Sequence, residues 1–179
     1  PGRIVPATCD IVDIAGLVKG ASQGEGLGNQ FLGNIRETDA IIHVLRCFDN
    51  DNIVHVDGSV NPVRDKEIID AELQLKDLET VENRIKRVEK QARVGGDKQA
   101  KLEFDVLSAY RDALLQGKSA RTVTFETEDE IATAKGLFLL TTKPVLYVCN
   151  VDDTSAANGN PYVEAVREAI KDEEAELLI

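Results

Sequence analysis

Methionine is absent from all 179 residues. With an opening Pro1-Gly2-Arg3 and a last residue, Ile179, inside an apolar run, the chain reads as a piece of a longer protein. No basic-then-apolar leader is present, so a secretory signal is not expected. No uncharged apolar run approaches the roughly 20 residues that span a bilayer, so no membrane partner is expected. Cysteine is scarce: Cys9, Cys47 and Cys149 are odd in number and match no zinc spacing. This argues against both a disulfide framework and a zinc site, and for buried, reduced thiols in a cytoplasmic protein. Positive charge is in deficit as well. A net charge of -11 argues against indiscriminate nucleic-acid binding by the whole surface.

A complete phosphate-binding loop is also missing. Gly117-Lys118-Ser119 resembles the end of Gly-x-x-x-x-Gly-Lys-[Ser/Thr], but Asp112 stands at the first glycine position and the preceding segment reads as helix. It is expected to be a helix end capped by glycine. Gly24, Gly26 and Gly28 do not make a dinucleotide fingerprint, since Asn29 falls where its third glycine should be.

What is present begins with the stretch Ile11–Asn29. An apolar strand over 8–14 runs into Asp13, and Gly16 follows three residues later, before a glycine-rich segment. Nucleotide-hydrolysing switches place such an acid at a strand end to hold Mg²⁺ through water. The glycine lets a backbone N–H approach the γ-phosphate without a Cβ in the way. Leu17 stands where many such enzymes carry a glutamine that orients the attacking water, so another group must do so. His43 and Lys19 are the candidates, although a histidine inside an apolar run is more often a core residue.

After Asp13 the spacing of Phe31, Leu32 and Ile35 predicts a short helix over 29–37. Ala40–Phe48 is a nearly continuous apolar run, expected to be a strand buried on both faces of a parallel sheet. From about Lys66 to Arg93 the pattern is a long charged helix, with Leu78, Val81, Ile85, Val88 and Ala92 as a coiled-coil seam. Ile68, Ala71 and Leu75 lead into that seam with a three-residue slip. A Gly-Gly-Asp turn and a second helix to about Gln116, striped by Leu102, Val106, Tyr110 and Ala113, complete an antiparallel hairpin projecting from the core. Further elements are expected at 128–137 (helix), 144–149 (buried strand), 161–171 (helix) and 176–179 (strand). Alternating strands and helices imply an α/β parallel sheet.

Two further sites emerge from this layout. Asn150-Val151-Asp152-Asp153 directly follows a buried strand and matches, without its lysine, the Asn-Lys-x-Asp loop that holds a guanine base. Alone, such a loop is more often an ordinary polar turn; behind a correctly ordered Asp-x-x-Gly it becomes a base-recognition candidate. The hairpin tip, residues 83–101, holds Arg84, Lys86, Arg87, Lys90, Arg93, Lys98 and Lys101 against only two acids. That local reversal of charge makes an RNA contact a competitor to a merely solvated face.

The run from Asp13 through Asn29, followed by Phe31-Leu32, Asn34-Ile35-Arg36-Glu37-Thr38-Asp39-Ala40, His43-Val44 and Arg46-Cys47-Phe48, closely resembles the YchF subfamily of Obg-like P-loop ATPases. The resemblance implies an α/β, Ras-like P-loop NTPase sheet, here incomplete, with an antiparallel coiled-coil hairpin inserted. Residues 1–61 would be core with the second switch, 62–120 the hairpin, and 121–179 the rest of the core with the base loop. It further implies binding and hydrolysis of ATP, or GTP, with Mg²⁺, and association with ribosomes in the cytoplasm. Asp13, Gly16, Asn150, Val151 and Asp153 would bind nucleotide, Asp13 would hold Mg²⁺ through water, and His43 would be suspected in catalysis. Ribosome or RNA would be met through the basic tip, and no DNA is expected. The family's P-loop and C-terminal TGS domain have no counterpart here, so the 179 residues alone are expected to be inactive. The alternative is an RNA- or ribosome-binding adaptor with a vestigial nucleotide site.

Overall fold

The structure, a computed structural model, describes residues 8–14, 33–50, 52, 58–94 and 97–179. A three-stranded parallel sheet carries the architecture. Strand β1 is Ile41–Arg46 and strand β2 is Val145–Asn150, paired from Ile41↔Val145 to Arg46↔Asn150. A short β3, Glu176–Leu178, extends the sheet beyond β2. Between β1 and β2 lie helix α1 (Pro62–Val94), helix α2 (Lys98–Leu115) and helix α3 (Glu128–Lys135). Helix α4 (Pro161–Ala169) connects β2 to β3.

Helix starts follow local chemistry. Asn61 accepts the Arg64 N–H at 3.0 Å, and Pro62 sits in the first turn, where its missing N–H costs nothing. This moves the start of α1 one turn ahead of the position suggested by its charges. Asp97 caps α2 by accepting the Ala100 N–H at 3.0 Å. Thr127 and Glu130 form a reciprocal capping box on α3. Gly117, at φ 71°, ends the second hairpin arm, and its N–H donates to the Leu114 carbonyl at 3.0 Å. Gly117-Lys118-Ser119 is therefore a helix stop, as expected.

Alternate residues of each strand share one face. Leu45, Tyr147 and Cys149 are buried against Val163 and Val166 of α4 and Ile170 just after it. On the opposite face Ile42 and Val44 are 48% and 60% exposed. The expected burial of β1 on both faces is thus corrected: among the described residues, helices cover one face only. Residues 8–14 form no strand, and Ile11 and Val12 are exposed. A strand requires a hydrogen-bonded neighbour, and no described strand pairs with this segment. Cys47 and Cys149 are buried free thiols, but Cys9 is exposed, contrary to expectation, because it shares the unpaired course of 8–14. Of the helix expected over 29–37, residues 33–36 are helical and 29–32 fall outside the described residues.

The hairpin differs instructively from its apolar pattern. Val81, Ile85 and Val88 of α1 pack with Val106, Leu107, Tyr110 and Leu114 of α2. Below Val81, however, the buried side of α1 runs through Leu73 and the charged residues Lys66 and Asp77. Ala71 and Leu75 are exposed. No three-residue slip is needed. The buried side instead steps by four through Leu73, Asp77, Val81 and Ile85, and the buried charged residues Lys66, Glu72 and Asp77 are ones that a hydrophobic pattern cannot detect. Thirty-three residues make α1 roughly 50 Å long. Its first half lies on the body, where Ile35, Leu73 and Leu140 form a shared cluster, so only the second half projects.

Candidate nucleotide site

In a parallel sheet, ligands bind at the carboxyl ends of the strands. Here that edge is tightly tied together. The Cys47 N–H donates to the Asn150 carbonyl at 2.7 Å, extending the β1–β2 ladder one step past Arg46. The Asn160 amide donates to the Cys47 carbonyl at 2.7 Å, while its oxygen caps α4 by accepting the Val163 N–H. Tyr162 donates its hydroxyl proton to Asp49 at 2.8 Å. The loop after Asn150 is thus anchored from both neighbouring elements.

Asn150 itself is the last residue of β2 and its side chain is exposed. Val151 is partly buried and packs against the sheet–α4 core. Asp153 is exposed in the turn that follows. Asp152 shapes that turn by accepting the Thr154 hydroxyl and the Ser155 N–H, both at 2.9 Å. The Ser155 and Thr154 bonds hold its carboxyl below the usual carboxylate range. Sequence reading passed over Asp152 and Asn160; their Asx-type spacing to the following N–H groups was the available signal.

Asp13 is exposed, and its carboxylate has no hydrogen bond or ion pair among the described residues. A single free carboxylate fits Mg²⁺, which is commonly held by one or two carboxylates with waters and phosphate oxygens. Among the described residues no three acids, histidines or cysteines cluster as a self-sufficient metal site. Gly16, with Leu17 and Lys19, falls outside the described residues.

His43 sits at the third position of β1, opposite Tyr147, with ring centroids 5.8 Å apart. Burial pushes its pKa below the ordinary histidine value, Asp70, Asp65 and Glu173 oppose that shift, and Lys66 adds to it. Burial thus favours its neutral form. Its face of the sheet holds a network absent from the sequence reading. Lys66 bridges Asp70 at 2.7 Å and Glu173 at 2.6 Å, and the Tyr147 hydroxyl donates to Glu173 at 2.9 Å. Burial pulls the Lys66 pKa down, but its hydrogen bonds to Asp70 and Glu173 outweigh this and leave it raised and fully charged. The structure brings Asn150, Val151 and Asp153 to the carboxyl edge. It sets His43 three rungs away, in the Tyr147 network.

A second buried anchor lies on α1. Asp77, with no exposed surface, accepts the Leu140 N–H, the Thr141 N–H and the Thr141 hydroxyl, each at 2.7 Å. The same Thr141 oxygen accepts the Ala120 N–H at 2.8 Å. Burial raises the Asp77 pKa despite these donors and the favourable charge of Arg36. The arm is thereby fastened to the turn that feeds β2.

At the tip, Arg84 pairs with Glu103 and Arg93 with Glu89, both at 2.5 Å. Lys86, Arg87, Lys90, Lys98 and Lys101 are exposed and make no ion pair among the described residues. No described helix is long and apolar enough to cross a membrane.

Comparison with known proteins agrees with this layout. Residues 2–92, just over half of the chain, match the family model for the 50S ribosome-binding GTPase. The Ribosome-binding ATPase YchF of Escherichia coli O157:H7 is 53% identical over 168 residues, covering 94% of this chain and 46% of that protein. The Bacillus subtilis (strain 168) protein of the same name is 50% identical over 181 residues, covering all of this chain and 49% of its own length. A solved structure of the Schizosaccharomyces pombe YchF GTPase superposes with a TM-score of 0.74 at 33% identity, covering 90% of this chain and 44% of that one. The chain thus spans about half the length of the curated relatives it matches. With the parallel sheet, the inserted hairpin and the loop at Asn150 all in place, the chain belongs to the 50S ribosome-binding GTPase family, in its YchF subfamily of Obg-like P-loop NTPases.

Proposed function

We propose that this chain is the switch and arm portion of a cytoplasmic protein that binds and hydrolyses ATP, or GTP, and associates with ribosomes. The observation that carries the reading is the Asn150-Val151-Asp152-Asp153 loop, exposed at Asn150, Asp152 and Asp153, at the carboxyl edge of the sheet, with the arm inserted between β1 and β2. In this reading Asn150, Val151 and Asp153 frame the base. Val151, packed inward and carrying no charge, cannot supply the lysine stem of a guanine site, which supports relaxed selectivity. Asp13 would hold Mg²⁺ through water and Gly16 would meet the γ-phosphate; the ion supplies neutralising charge to the phosphate oxygens. The division into 1–61, 62–120 and 121–179 follows the same reading.

His43 is proposed to act through the Tyr147 network rather than by touching the reacting atoms. Arg84, Lys86, Arg87, Lys90, Arg93, Lys98 and Lys101 are proposed to meet ribosomal RNA. The experiment is a comparison of ATP and GTP affinity and turnover on the full-length parent, with Asp13→Ala beside it. Loss of hydrolysis in that variant is expected, and unchanged turnover would overturn the switch reading. The 179 residues alone are expected to show no tight ATP binding; micromolar affinity for ATP–Mg²⁺ by calorimetry would contradict this.

The adaptor reading has its own support in the unpaired tip cations. If the nucleotide site is vestigial, Asp13→Ala leaves ribosome association and its nucleotide response unchanged.

A further inference from the structure

A cavity of about 300 Å³ opens where the arm leaves the body. Its wall is built from three separate parts of the chain. Arg36 comes from the helical turn at 33–36, Thr80, Asn83, Arg84 and Arg87 from α1, and the apolar back from α2 and the segment 136–139. Arg36, Arg84 and Arg87 all line one space, and no acidic residue lines it. That is a pronounced bias in a chain of net charge -11.

The partners of these groups are only partly committed. Arg84 pairs with Glu103 of α2. The Arg36 guanidinium makes a long 3.5 Å contact with the Thr80 hydroxyl, whose own proton goes to the Lys76 carbonyl. Arg87 and Asn83 have no hydrogen-bond or ion-pair partner among the described residues. Charged donors dominate the polar side chains that line the space, and they stand against an apolar back that lowers competition from water. Its volume lies at the bottom of the range for small-molecule sites, roughly 300–1,000 Å³. That suits a single phosphate or diphosphate group better than a whole nucleoside triphosphate.

We propose that this cavity is an oxyanion site that takes a phosphate group, clamped by Arg36 and Arg87 with Asn83 as a further donor. It shares Arg84 and Arg87 with the RNA contact proposed above and so rests in part on that reading. Arg36 adds a consequence that the tip cannot supply. It sits on the segment directly following the glycine-rich stretch after Asp13, so a phosphate held here bridges the arm to the switch. The phosphate comes either from an RNA backbone or from a free phosphate compound, and both present the same chemistry.

The test titrates the 179-residue chain with inorganic pyrophosphate by calorimetry at low salt, with circular dichroism confirming that each variant is folded. Saturable binding is expected, weakened about tenfold by Arg87→Gln and by Arg36→Gln, the loss of one charge-assisted contact each. Lys135→Gln, on the neighbouring exposed surface outside the cavity, should leave it unchanged. Arg87 lies on an exposed helix face, so its variant keeps the test decisive even if Arg36→Gln unfolds. Absence of saturation up to about 10 mM, or equal weakening by Lys135→Gln, overturns the site and indicates only a diffuse positive field. A short single-stranded oligoribonucleotide that displaces pyrophosphate identifies RNA as the source; pyrophosphate binding without displacement identifies a free phosphate compound. Neither measurement involves ribosomes or ATP, so failure here is distinct from failure of the switch reading.

Discussion

Helix α1 has two ends made of the same residue types and put to opposite uses. At its root Lys66 and Asp77 are buried, each with partners that match its charge: two carboxylates for the lysine, and two backbone N–H groups and a hydroxyl for the aspartate. At its tip the lysines and arginines are exposed, and most make no ion pair among the described residues. A charge taken out of water must be fully paired, whereas one left in water contributes little to stability and stays available for a ligand. One continuous helix is therefore structural at one end and, on our proposal, a recognition surface at the other.

The root should break first. Asp77→Ala strips the partners from the Leu140 and Thr141 N–H groups in a dry site, at a cost of about 3 kcal/mol or more. Urea unfolding should show it as a lowered midpoint, and a loss below 1 kcal/mol would mean that water enters and satisfies those groups. Lys66→Met comes next. It leaves Asp70 and Glu173 facing each other without their shared cation, and about 2–3 kcal/mol should be lost. Adding Glu173→Gln to Lys66→Met should recover part of that loss.

A smaller effect is expected from His43 and is visible only against pH. Its folded pKa lies below the unfolded value of 6.5, so the unfolded chain binds the extra proton. Its contribution is complete above pH 6.5 and is lost as pH falls through the window below it. His43→Gln should flatten the acid side of the stability curve; an unchanged slope from pH 7 to 5 would show that the ring is not desolvated.

The tip completes the contrast. Reversing Lys86, Arg87 and Lys90 to Glu should change stability by no more than about 0.5 kcal/mol. In the full-length parent the same variant should lose ribosome or RNA association and show a shallower salt dependence of binding. Association that survives with the same salt slope would make the tip ordinary solvated surface.

Local chemistry made much of this protein legible. Asn61-Pro62, Asp97, Thr127 with Glu130, and Gly117 mark helix ends through hydrogen bonds that reach only three or four residues, so their spacing alone reveals them. The apolar stripe of Val81, Ile85 and Val88 and the strand–loop sequence at Asn150 are equally short-range. The sequence by itself therefore determined the order of elements from β1 onward, the parallel α/β class, the hairpin and the family.

Other features depended on partners far away in the chain. Lys66 and Asp77 look like solvated charges until Glu173 and Thr141, more than 60 residues distant, arrive to pair them. The exposed face of β1 and the exposed Cys9 could not be read from apolar runs, because burial depends on which helix lies above a residue rather than on its own side chain. The cavity ringed by Arg36, Arg84 and Arg87 exists only because a turn, an arm and a loop meet there. Pairing and enclosure are properties of the folded arrangement, and only the tertiary structure decided them.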